Sequence, residues 1–472
     1  MQRSQKNPNK KTRQVTIEFS DKPITSWGGT AAIISRFLEK IGFKEAIETC
    51  IPVKETSNNT TGVYAKVICL FISILNGGFR FSHINFMDGS SKIFERCFGV
   101  CKLPKASTSL TRFLGRFNSR SLNDVLRQNI ATTILSVLFK TAEITSDSLR
   151  FDSTVITRYG EQEGAKRGYN PSKKGRPSHQ PQIAFLGSGY TVNFWNRSGN
   201  TSSGNGIEAF FNETISYLPN VKIERVLADS GYYLQGFIKI LEEGGYEYII
   251  SAPIIQVLQR KIYALKDWTT VAPGIEISEF MFEHSATHWG KPRRYVVVRQ
   301  EIAVRPKATG KNMSLFNETY DGSRYRHSLM VTNNETESAY AVWNYYKPRA
   351  NDENVIENMK DGFGLSAFSM KNFWATEAVM MIICLIFHNL ITYLIKYVLR
   401  SEKQNQKLRT VRMEYLIIPA IMGRDGREDI LRLGIGNGKR RNKLLDVFEK
   451  LKLLVLKFNC NAVELSGNFG SV

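Results

Sequence analysis

The stretch IERVLADSGYYLQGFIKILEEGGYEYIIS, residues 223–251, predicts a strand, a helix and a second strand in direct succession. The apolar run before Asp229 is typical of a buried strand. The segment after it repeats apolar residues at helical spacing and closes on Gly244 and Gly245, where a helix can end. Strand, helix and strand in this order indicate an α/β fold.

The residues before this stretch extend the same fold. LRFDSTVITR (149–158) predicts a first strand, and QIAFLGSGYTVNFWN (182–196) predicts a hairpin that turns at Gly187 to Gly189. GIEAFFNETISYL (206–218) predicts an amphipathic helix. Three strands, a helix, a strand, a helix and a strand build a mixed sheet with flanking helices.

The rest of the chain divides around this core. Residues 31–141 show helical periodicity, whereas residues 254–332 show little of it and read as a β-rich insertion. Within 412–435 the sequence predicts a hairpin. We predict the following units: a flexible basic tail (1–20), a helical N-terminal domain (21–145), a mixed-sheet core in two parts (146–253 and 341–400), the β-rich insertion (254–340) and a basic C-terminal hairpin and helix (401–472).

The charge of the chain predicts its partner. Its 472 residues carry 64 Lys and Arg against 43 Asp and Glu, a formal net charge of +21. A locally clustered excess of this size favours a polyanion, and nucleic acid first of all. The alternative is a basic protein whose charge serves only its solubility.

Three features bear on compartment and metal content. The six cysteines lie mostly in apolar surroundings and read as reduced residues of a cytoplasmic protein. The pairs Cys97/Cys101 and His284/His288 have metal-ligand spacing, but ordinary packing and surface roles are favoured over zinc. Residues 378–395 are apolar enough to suggest a membrane span, yet a buried core helix is favoured because no second span appears. The N-terminus is basic and polar, without the apolar run of a signal peptide.

A short arginine-bearing segment in the helical region is a candidate DNA contact. In LPKASTSLTRFLGRF (103–117), Ser107 or Thr108 can cap a helix that places Arg112 and Arg116 on one face. Such a helix suits DNA binding, and a solvated face is an equal alternative.

Two aspartates stand at positions that rarely hold an acid without cause. Asp152 interrupts the first strand, and Asp229 ends the apolar run RVLA. Acids at strand ends of an α/β sheet face the crevice where ligands bind. Because burial of an unpaired carboxylate is costly, each is expected to have a cation partner. Together with an acidic helix, the two favour a metal site.

The acidic helix lies in NYYKPRANDENVIENMKDGFG, residues 344–364. At about 100° per residue, Tyr346, Arg349, Glu353 and Lys360 fall within roughly 60° of one another. Glu357 lies near the same face, so the spacing alone does not choose between the two glutamates. Three carboxylates suit a pair of Mg²⁺ ions acting on a phosphodiester, and the flanking cations suit its phosphates. The alternative is a solvated helix with salt bridges along its face.

The motifs resemble those of one protein family. Tyr346, Arg349, Glu353 and Lys360 have the spacing of the YREK signature of bacterial insertion-sequence transposases with a DDE site on an RNase H-like fold. FDSTVITRYGEQEGAKRGYNPSKKGRPS, NRSGNTSS, ADSGYY and ENVIENMKDGF resemble the thirteen-eighty family of insertion sequences. The resemblance covers residues 148–412 well and the helical N-terminus more loosely. Ser198 departs from the family, where proline is expected before GNT.

The resemblance implies a metal-dependent enzyme, with an RNase H-like catalytic core at residues 146–253 and 341–400. The helical domain at residues 21–145 would serve DNA binding or dimerisation. The resemblance also implies that Asp152, Asp229 and Glu353 are the catalytic and metal-binding acids, and it selects Glu353 over Glu357. The implied cofactor is a pair of Mg²⁺ ions, for which Mn²⁺ can substitute. Water would attack the transposon end, and the freed 3′-OH would attack target DNA. An inactive or domesticated DNA-binding protein derived from a transposase is the alternative, and the presence of all three acids argues against it.

Several DNA contacts are also implied. Tyr346, Arg349 and Lys360 would hold phosphate near the cut, and Trp268 or Trp289 of the insertion would stack on a flipped base. The partners would be double-stranded DNA, as terminal inverted repeats and target, and a second copy of the chain, without a membrane. The expected location is the bacterial cytoplasm, in association with the nucleoid.

The segment after Asp152 predicts a DNA contact on its own chemistry, because its cations are interleaved with glycine and proline and follow directly from the first strand. We expect it to track a DNA strand into the site; the alternative is a mobile basic surface loop. The cations are Lys166, Arg167, Lys173, Lys174 and Arg176.

Overall fold

The computed structural model describes residues 17–55, 60–104, 106–284, 289–313, 324–400 and 406–458. Most of the predicted N-terminal tail, together with Cys460 and His288, therefore lies outside the described residues.

Strands form three sheets in the described chain. Their bounds are β1 (Ile24–Thr25), β2 (Ser146–Ser153), β3 (Ile156–Thr157), β4 (Lys166–Arg167), β5 (Pro177–His179), β6 (Gln182–Leu186), β7 (Thr191–Trp195), β8 (Lys222–Ala228), β9 (Tyr248–Ser251), β10 (Thr269–Ala272), β11 (Ile275–Phe282), β12 (Arg293–Glu301), β13 (Tyr325–Thr332), β14 (Ala420–Asp425) and β15 (Glu428–Leu433).

Helices surround these sheets. Their bounds are α1 (Ser35–Lys40), α2 (Phe43–Cys50), α3 (Val63–Leu75), α4 (Ser91–Phe98), α5 (Ser107–Leu114), α6 (Arg120–Ile130), α7 (Ser136–Thr141), α8 (Ile207–Ser216), α9 (Gln235–Glu243), α10 (Gln256–Ala264), α11 (Ala339–Tyr346), α12 (Ala350–Glu357), α13 (Phe373–Met381), α14 (His388–Tyr393), α15 (Leu408–Val411) and α16 (Lys439–Lys452). Turns of 3₁₀ or π type are Thr30–Ile34, Phe81–Ser90, Ala131–Leu135, Ser230–Tyr232, Lys347–Arg349, Asn358–Gly362, Ile382–Phe387, Leu394–Leu399 and Arg412–Leu416.

The large sheet is mixed, as predicted. Its strand order is β10-β11-β12-β13-β9-β8-β2-β6-β7. The pairs β2–β8 and β8–β9 are parallel, and the remaining pairs are antiparallel. The predicted hairpin (β6 and β7) and the helices α8 and α9 all form. The α/β prediction is therefore confirmed at the level of a mixed sheet with flanking helices.

The β-rich insertion belongs to this same sheet. Strand β13 pairs with β9 over Met330–Ser251, Val331–Ile250 and Thr332–Ile249. The insertion strands thus continue the core sheet laterally. The insertion also contains α10, which the sequence analysis missed; its buried face consists only of Leu258 and Ile262, too short a pattern to reveal a helix.

Two strand predictions were wrong in detail. The first strand ends at Ser153, and Ile156–Thr157 joins a separate sheet of order β3-β5-β4. The predicted C-terminal hairpin begins only at Ala420, because Arg412–Leu416 is a helical turn. Strand β14 also pairs with β1, so the two ends of the described chain share a three-stranded sheet.

The apolar segment forms a core helix. Phe373–Leu399 is the one described helix long and apolar enough to cross a membrane, and 94% of its most apolar window is buried within the protein. Its polar Asn389 donates to the carbonyl of Thr191 in β7 at 2.7 Å and accepts from the Thr191 amide at 2.8 Å. Buried polar groups need such partners. The helix is therefore built to pack on the sheet, as predicted.

The N-terminal helices pack into the same core. The buried guanidinium of Arg127 in α6 lies 2.9 Å from Glu213 of α8 and 3.6 Å from Glu377 of α13. Burial of an ion pair is tolerated only when its charges are well partnered. This cluster therefore fixes the helical region against the sheet. The division into domains stays a prediction.

Candidate active site

Asp152 and Asp229 lie side by side at one edge of the large sheet. Phe151 of β2 is opposite Ala228 of the parallel strand β8, and each aspartate is the next residue along its chain. Parallel neighbours bring their carboxyl ends to the same edge, where α/β sheets bind ligands. Asp152 is buried at 6% exposure, and the Asp229 side chain is 35% exposed. The site thus has a buried acid and a more accessible one.

One guanidinium contacts both aspartates. Nη2 of Arg349 lies 3.2 Å from Oδ2 of Asp152 and 3.6 Å from Oδ2 of Asp229. The expected cation partner is therefore the same residue for both acids. Two carboxylates that converge on a single positive charge form a pocket of negative potential at this edge.

The surroundings of Asp152 disfavour its charged form. Burial raises the pKa of Asp152 to about 7, although the Arg349 cation acts to lower it, and the neighbouring charge of Asp229 adds to the rise. Burial disfavours the charged form of an acid, as does a like charge. Additional positive charge at this position would therefore stabilise the carboxylate.

The signature helix crosses this edge. Helix α11 ends at Tyr346 and continues through the tight turn Lys347–Arg349 into α12 and the turn Asn358–Gly362. Pro348 lies in the tight turn that joins α11 to α12. The helical segment ends at Gly362.

Glu353 and Glu357 differ in their surroundings. Both line a cavity of about 450 Å³ that Asp152, Asp229 and Arg349 also line. Glu357 accepts from Nζ of Lys407 at 2.6 Å. For Glu353, the described residues provide no ion pair or hydrogen bond to the side chain. Glu353 is thus available within the cavity, whereas Glu357 is held by a surface lysine.

The other signature residues contact the same strand ends. The Tyr346 hydroxyl donates to the Ala228 carbonyl at 3.2 Å, and Nζ of Lys360 donates to the Val155 carbonyl at 3.0 Å. Burial lowers the pKa of Lys360 and raises that of Tyr346. The predicted common face of the helix therefore points at the two aspartate-bearing strands.

A second ion pair behind the site was missed. Arg150 and Asp352 are buried, and Nη1 of Arg150 lies 3.0 Å from Oδ1 of Asp352 and 3.1 Å from the Pro348 carbonyl. Arg150 precedes Asp152 by two residues, and Asp352 precedes Glu353 by one. The pair therefore ties the strand of Asp152 to the helix of Glu353. The sequence feature that could have revealed this pair is Arg150, a charged residue between the apolar Leu149 and Phe151.

The basic segment after Asp152 contains regular secondary structure. All of its five predicted DNA-binding cations are exposed, and Lys166 and Arg167 form β4, which pairs with β5. A Cβ added at Gly199 would lie 2.4 Å from the Lys166 carbonyl oxygen and 2.1 Å from that of Ser178. The SGN motif of the sequence thus lets its backbone pack directly against this small sheet.

The predicted arginine helix forms as α5 but does not include Arg116, and a DNA contact by Arg112 or Arg116 stays a prediction. Helix α5 ends at Leu114, so Arg116 lies beyond it, and Arg116 donates to the Lys54 carbonyl at 2.8 Å. Gly115 follows the last helical residue, which stops the helix before the second arginine. The two arginines are both exposed but do not share a helix face. The N-cap is Ala106, without a side-chain hydrogen bond, rather than Ser107 or Thr108.

The two candidate tryptophans occupy different environments. Trp289 packs on Tyr233 with ring centroids 4.8 Å apart, and Tyr233 lies four residues after Asp229. Trp268 is covered by the Arg299 guanidinium at 3.9 Å from its ring centroid. The structure brings Trp289, and not Trp268, to the turn that follows the second aspartate. A base-stacking role stays a prediction for both.

The donor set fits a hard divalent cation, although no ligand cluster is assembled. Within the described ranges, no group of three His, Cys, Asp or Glu side chains is close enough to hold a metal ion. The cavity nevertheless presents the carboxylates of Asp152, Asp229 and Glu353, oxygen donors of the kind that Mg²⁺ prefers. The guanidinium of Arg349 already forms ion pairs with two of these carboxylates, those of Asp152 and Asp229. The residues fit such an ion chemically, and Glu353 has to approach the aspartates to join them.

Comparison with known proteins identifies the family. A search of curated proteins finds no match to the chain. Among solved structures, the chain is similar to a piggyBac transposase synaptic complex with hairpin DNA determined by cryo-EM, at 11% sequence identity and a TM-score of 0.41, over 82% of this chain and 79% of that one. The family model described as transposase DDE domain group 1 matches residues 7–455. Because this match spans nearly the whole sequence, the chain belongs to the DDE transposase family, group 1.

Proposed function

We propose that this protein is a Mg²⁺-dependent DNA transposase that cuts the ends of an insertion sequence and joins them to target DNA. The observation that carries the proposal is the pair Asp152 and Asp229 on adjacent parallel strands, sharing Arg349 in a cavity that Glu353 also lines. The proposed relatives are the thirteen-eighty insertion sequences of bacteria, as the sequence motifs suggest. The proposed place of action is the bacterial nucleoid.

The three acids would hold the metal ions. Bound there, two Mg²⁺ ions, or Mn²⁺ in their place, would activate the attacking oxygen and stabilise the leaving oxygen of a phosphodiester. Glu353, which has no side-chain partner among the described residues, is the third ligand in this proposal.

The surrounding cations would hold the DNA. Arg349 now contacts the carboxylates of Asp152 and Asp229. Once positive charge other than its own neutralises them, its guanidinium would be free to bind a phosphate that approaches the cavity. Lys360 lines the same cavity and presents an ammonium group to it. Guanidinium and ammonium groups bind phosphate with charge-assisted hydrogen bonds. Tyr346, whose hydroxyl donates to the Ala228 carbonyl, would fix the position of the helical segment that carries Arg349 and Lys360.

A cleavage assay tests the proposal. Purified protein is mixed with a plasmid that carries the gene's own flanking DNA, with Mg²⁺ or with EDTA. Metal-dependent cuts at inverted repeats are expected, and sedimentation of the paired-end complex should show two protein chains, since two ends must be joined. Binding to those ends without any cut would instead support the inactive DNA-binding protein, and one chain per paired complex would contradict the dimer.

The basic segment should contribute to affinity by neutralising phosphates. Reversing the charges of Lys173 and Lys174 to Glu should weaken binding of a duplex end and reduce the salt slope of log K by roughly one for each phosphate that is no longer neutralised. The measurement is fluorescence anisotropy at several salt concentrations. Lys222→Glu is the matched control, because Lys222 is exposed at the opposite end of β8 from Asp229. An unchanged slope in the double variant, or an equal change in the control, would remove this role.

A further inference from the structure

We propose that Tyr159 and Tyr169 form a stacking site for the unpaired bases of a DNA strand, on the small sheet beside the active cavity. The inference rests on the proposed function and specifies the form of DNA that this part of the protein takes.

Both rings are unusually exposed. Tyr159 is 73% exposed and Tyr169 is 75% exposed, whereas the next most exposed tyrosine of the described chain, Tyr340, is at 46%. Single exposed apolar groups are ordinary. Two exposed rings on one small element are a different case, because they leave flat aromatic faces open to a ligand.

The element that carries them is rigidly held. Arg158, beside Tyr159, is buried; its Nε donates to Nδ1 of His179 at 3.1 Å and its Nη1 donates to the Ser366 carbonyl at 3.0 Å. Asn170, beside Tyr169, is also buried. A ring anchored by a buried neighbour loses little further freedom when a ligand binds.

The two tyrosines leave the small sheet near one another. Nδ2 of Asn170 donates to Oγ1 of Thr157 at 3.0 Å. Tyr169 directly precedes Asn170, and Tyr159 is two residues after Thr157. This side-chain hydrogen bond between the two segments therefore brings the chain around Tyr159 close to the chain around Tyr169.

The small sheet adjoins the active cavity. The cavity is lined by Asp152, Ser153 and Thr154. Val155 follows these residues and leads directly into β3. Lys360, another cavity residue, donates to the Val155 carbonyl at 3.0 Å. A DNA strand that leaves the cavity in the direction of β3 would therefore reach Tyr159 and Tyr169.

The charge around the rings matches a nucleic acid backbone. The five exposed cations of the basic segment lie between the tyrosines or just after them in sequence. The Arg176 guanidinium lies 6.0 Å from the Tyr159 ring centroid, at the outer limit of a cation–π contact. Proteins that bind single strands combine a positive track with aromatic rings on which bases stack.

The chemistry selects unpaired bases over a closed duplex. In a duplex, base faces are already stacked on one another, and exposing one requires that the base be unstacked and unpaired. An unpaired nucleotide at an opened or cut end presents its face freely. Two open rings beside a cavity that cuts DNA therefore suit the displaced nucleotides next to the cut.

The test uses two double variants of the full chain. Tyr159→Leu with Tyr169→Leu removes the aromatic faces, whereas Tyr159→Phe with Tyr169→Phe removes only the hydroxyls. The probes are a single-stranded dT oligonucleotide with one 2-aminopurine and a blunt duplex of the same length. Stacking quenches 2-aminopurine fluorescence, and anisotropy gives the affinity.

The leucine variant should bind the single strand roughly tenfold more weakly and lose the quenching, while its duplex affinity changes less than twofold. The phenylalanine variant should match the wild type in both. Equal thermal midpoints would show that the folds are intact, as expected for rings this exposed.

Three outcomes would overturn the inference. An equal loss in the phenylalanine variant would indicate hydroxyl–phosphate contacts, and an equal loss on duplex would indicate general DNA binding. Unchanged single-strand binding in the leucine variant would exclude stacking. In each of these cases wild-type cleavage of the plasmid ends would leave the proposed function standing; a wild type that neither binds nor cuts DNA would remove both.

Discussion

Asp152→Asn is expected to abolish DNA cleavage, with a loss of about 10³-fold or more, while binding of duplex ends stays near the wild-type affinity. The substitution keeps the shape of the side chain but removes the negative charge that Arg349 now contacts at 3.2 Å. A catalytic metal contributes several kcal/mol of transition-state stabilisation, and each 1.36 kcal/mol is tenfold in rate. Asp229→Asn and Glu353→Gln should behave in the same way.

Glu357→Gln is the matched control for these variants. Glu357 is on the same helix and lines the same cavity, but its carboxylate is bound to Lys407 at 2.6 Å. Its loss should leave cleavage within a few-fold of wild type. The measurement is single-turnover cleavage of the plasmid ends in Mg²⁺. If Glu357→Gln abolished cutting and Glu353→Gln did not, the third acid would be Glu357.

The sequence predicted the features that local patterns encode. Strands β6, β7, β8 and β9 were predictable because each is a short apolar run bounded by turn residues. Asp152 and Asp229 could be singled out as candidate site residues because an acid at the end of such a run has no ordinary structural reason.

The features that were missed depend on contacts between distant residues. Strand β1 has only two residues, and its pairing with Ala420 and Ile421 has no periodicity that could reveal it. The insertion joins the core sheet because β13 pairs with β9, two strands that are far apart in the sequence. The contact of Arg349 with both aspartates depends on how the helix crosses the sheet edge. Arg349 was predicted to lie on the correct helix face, but its partners were not predictable from spacing.

Arg150→Met should be the most destabilising single change near the site. It leaves the Asp352 carboxylate buried without its partner, and removal of one member of a buried ion pair costs about 3–5 kcal/mol. Oδ2 of Asp352 already has no hydrogen-bond partner among the described residues. Burial raises the pKa of Asp352 and Arg150 acts to lower it, so the pKa of Asp352 should rise further in the variant. Urea unfolding followed by circular dichroism measures the loss.

The double variant Arg150→Met with Asp352→Leu separates stability from positioning. An apolar pair of similar volume often equals a buried ion pair in stability, so the free energy of unfolding should return close to the wild-type value. Cleavage should stay low, because the double variant lacks the bonds from Arg150 to Asp352 and to the Pro348 carbonyl that hold Arg349 and Glu353 against the strand of Asp152. Full recovery of cleavage along with stability would show that the pair only fills the core. Continued instability would show that the interior at this point requires charge, and that the helix cannot be held by packing alone.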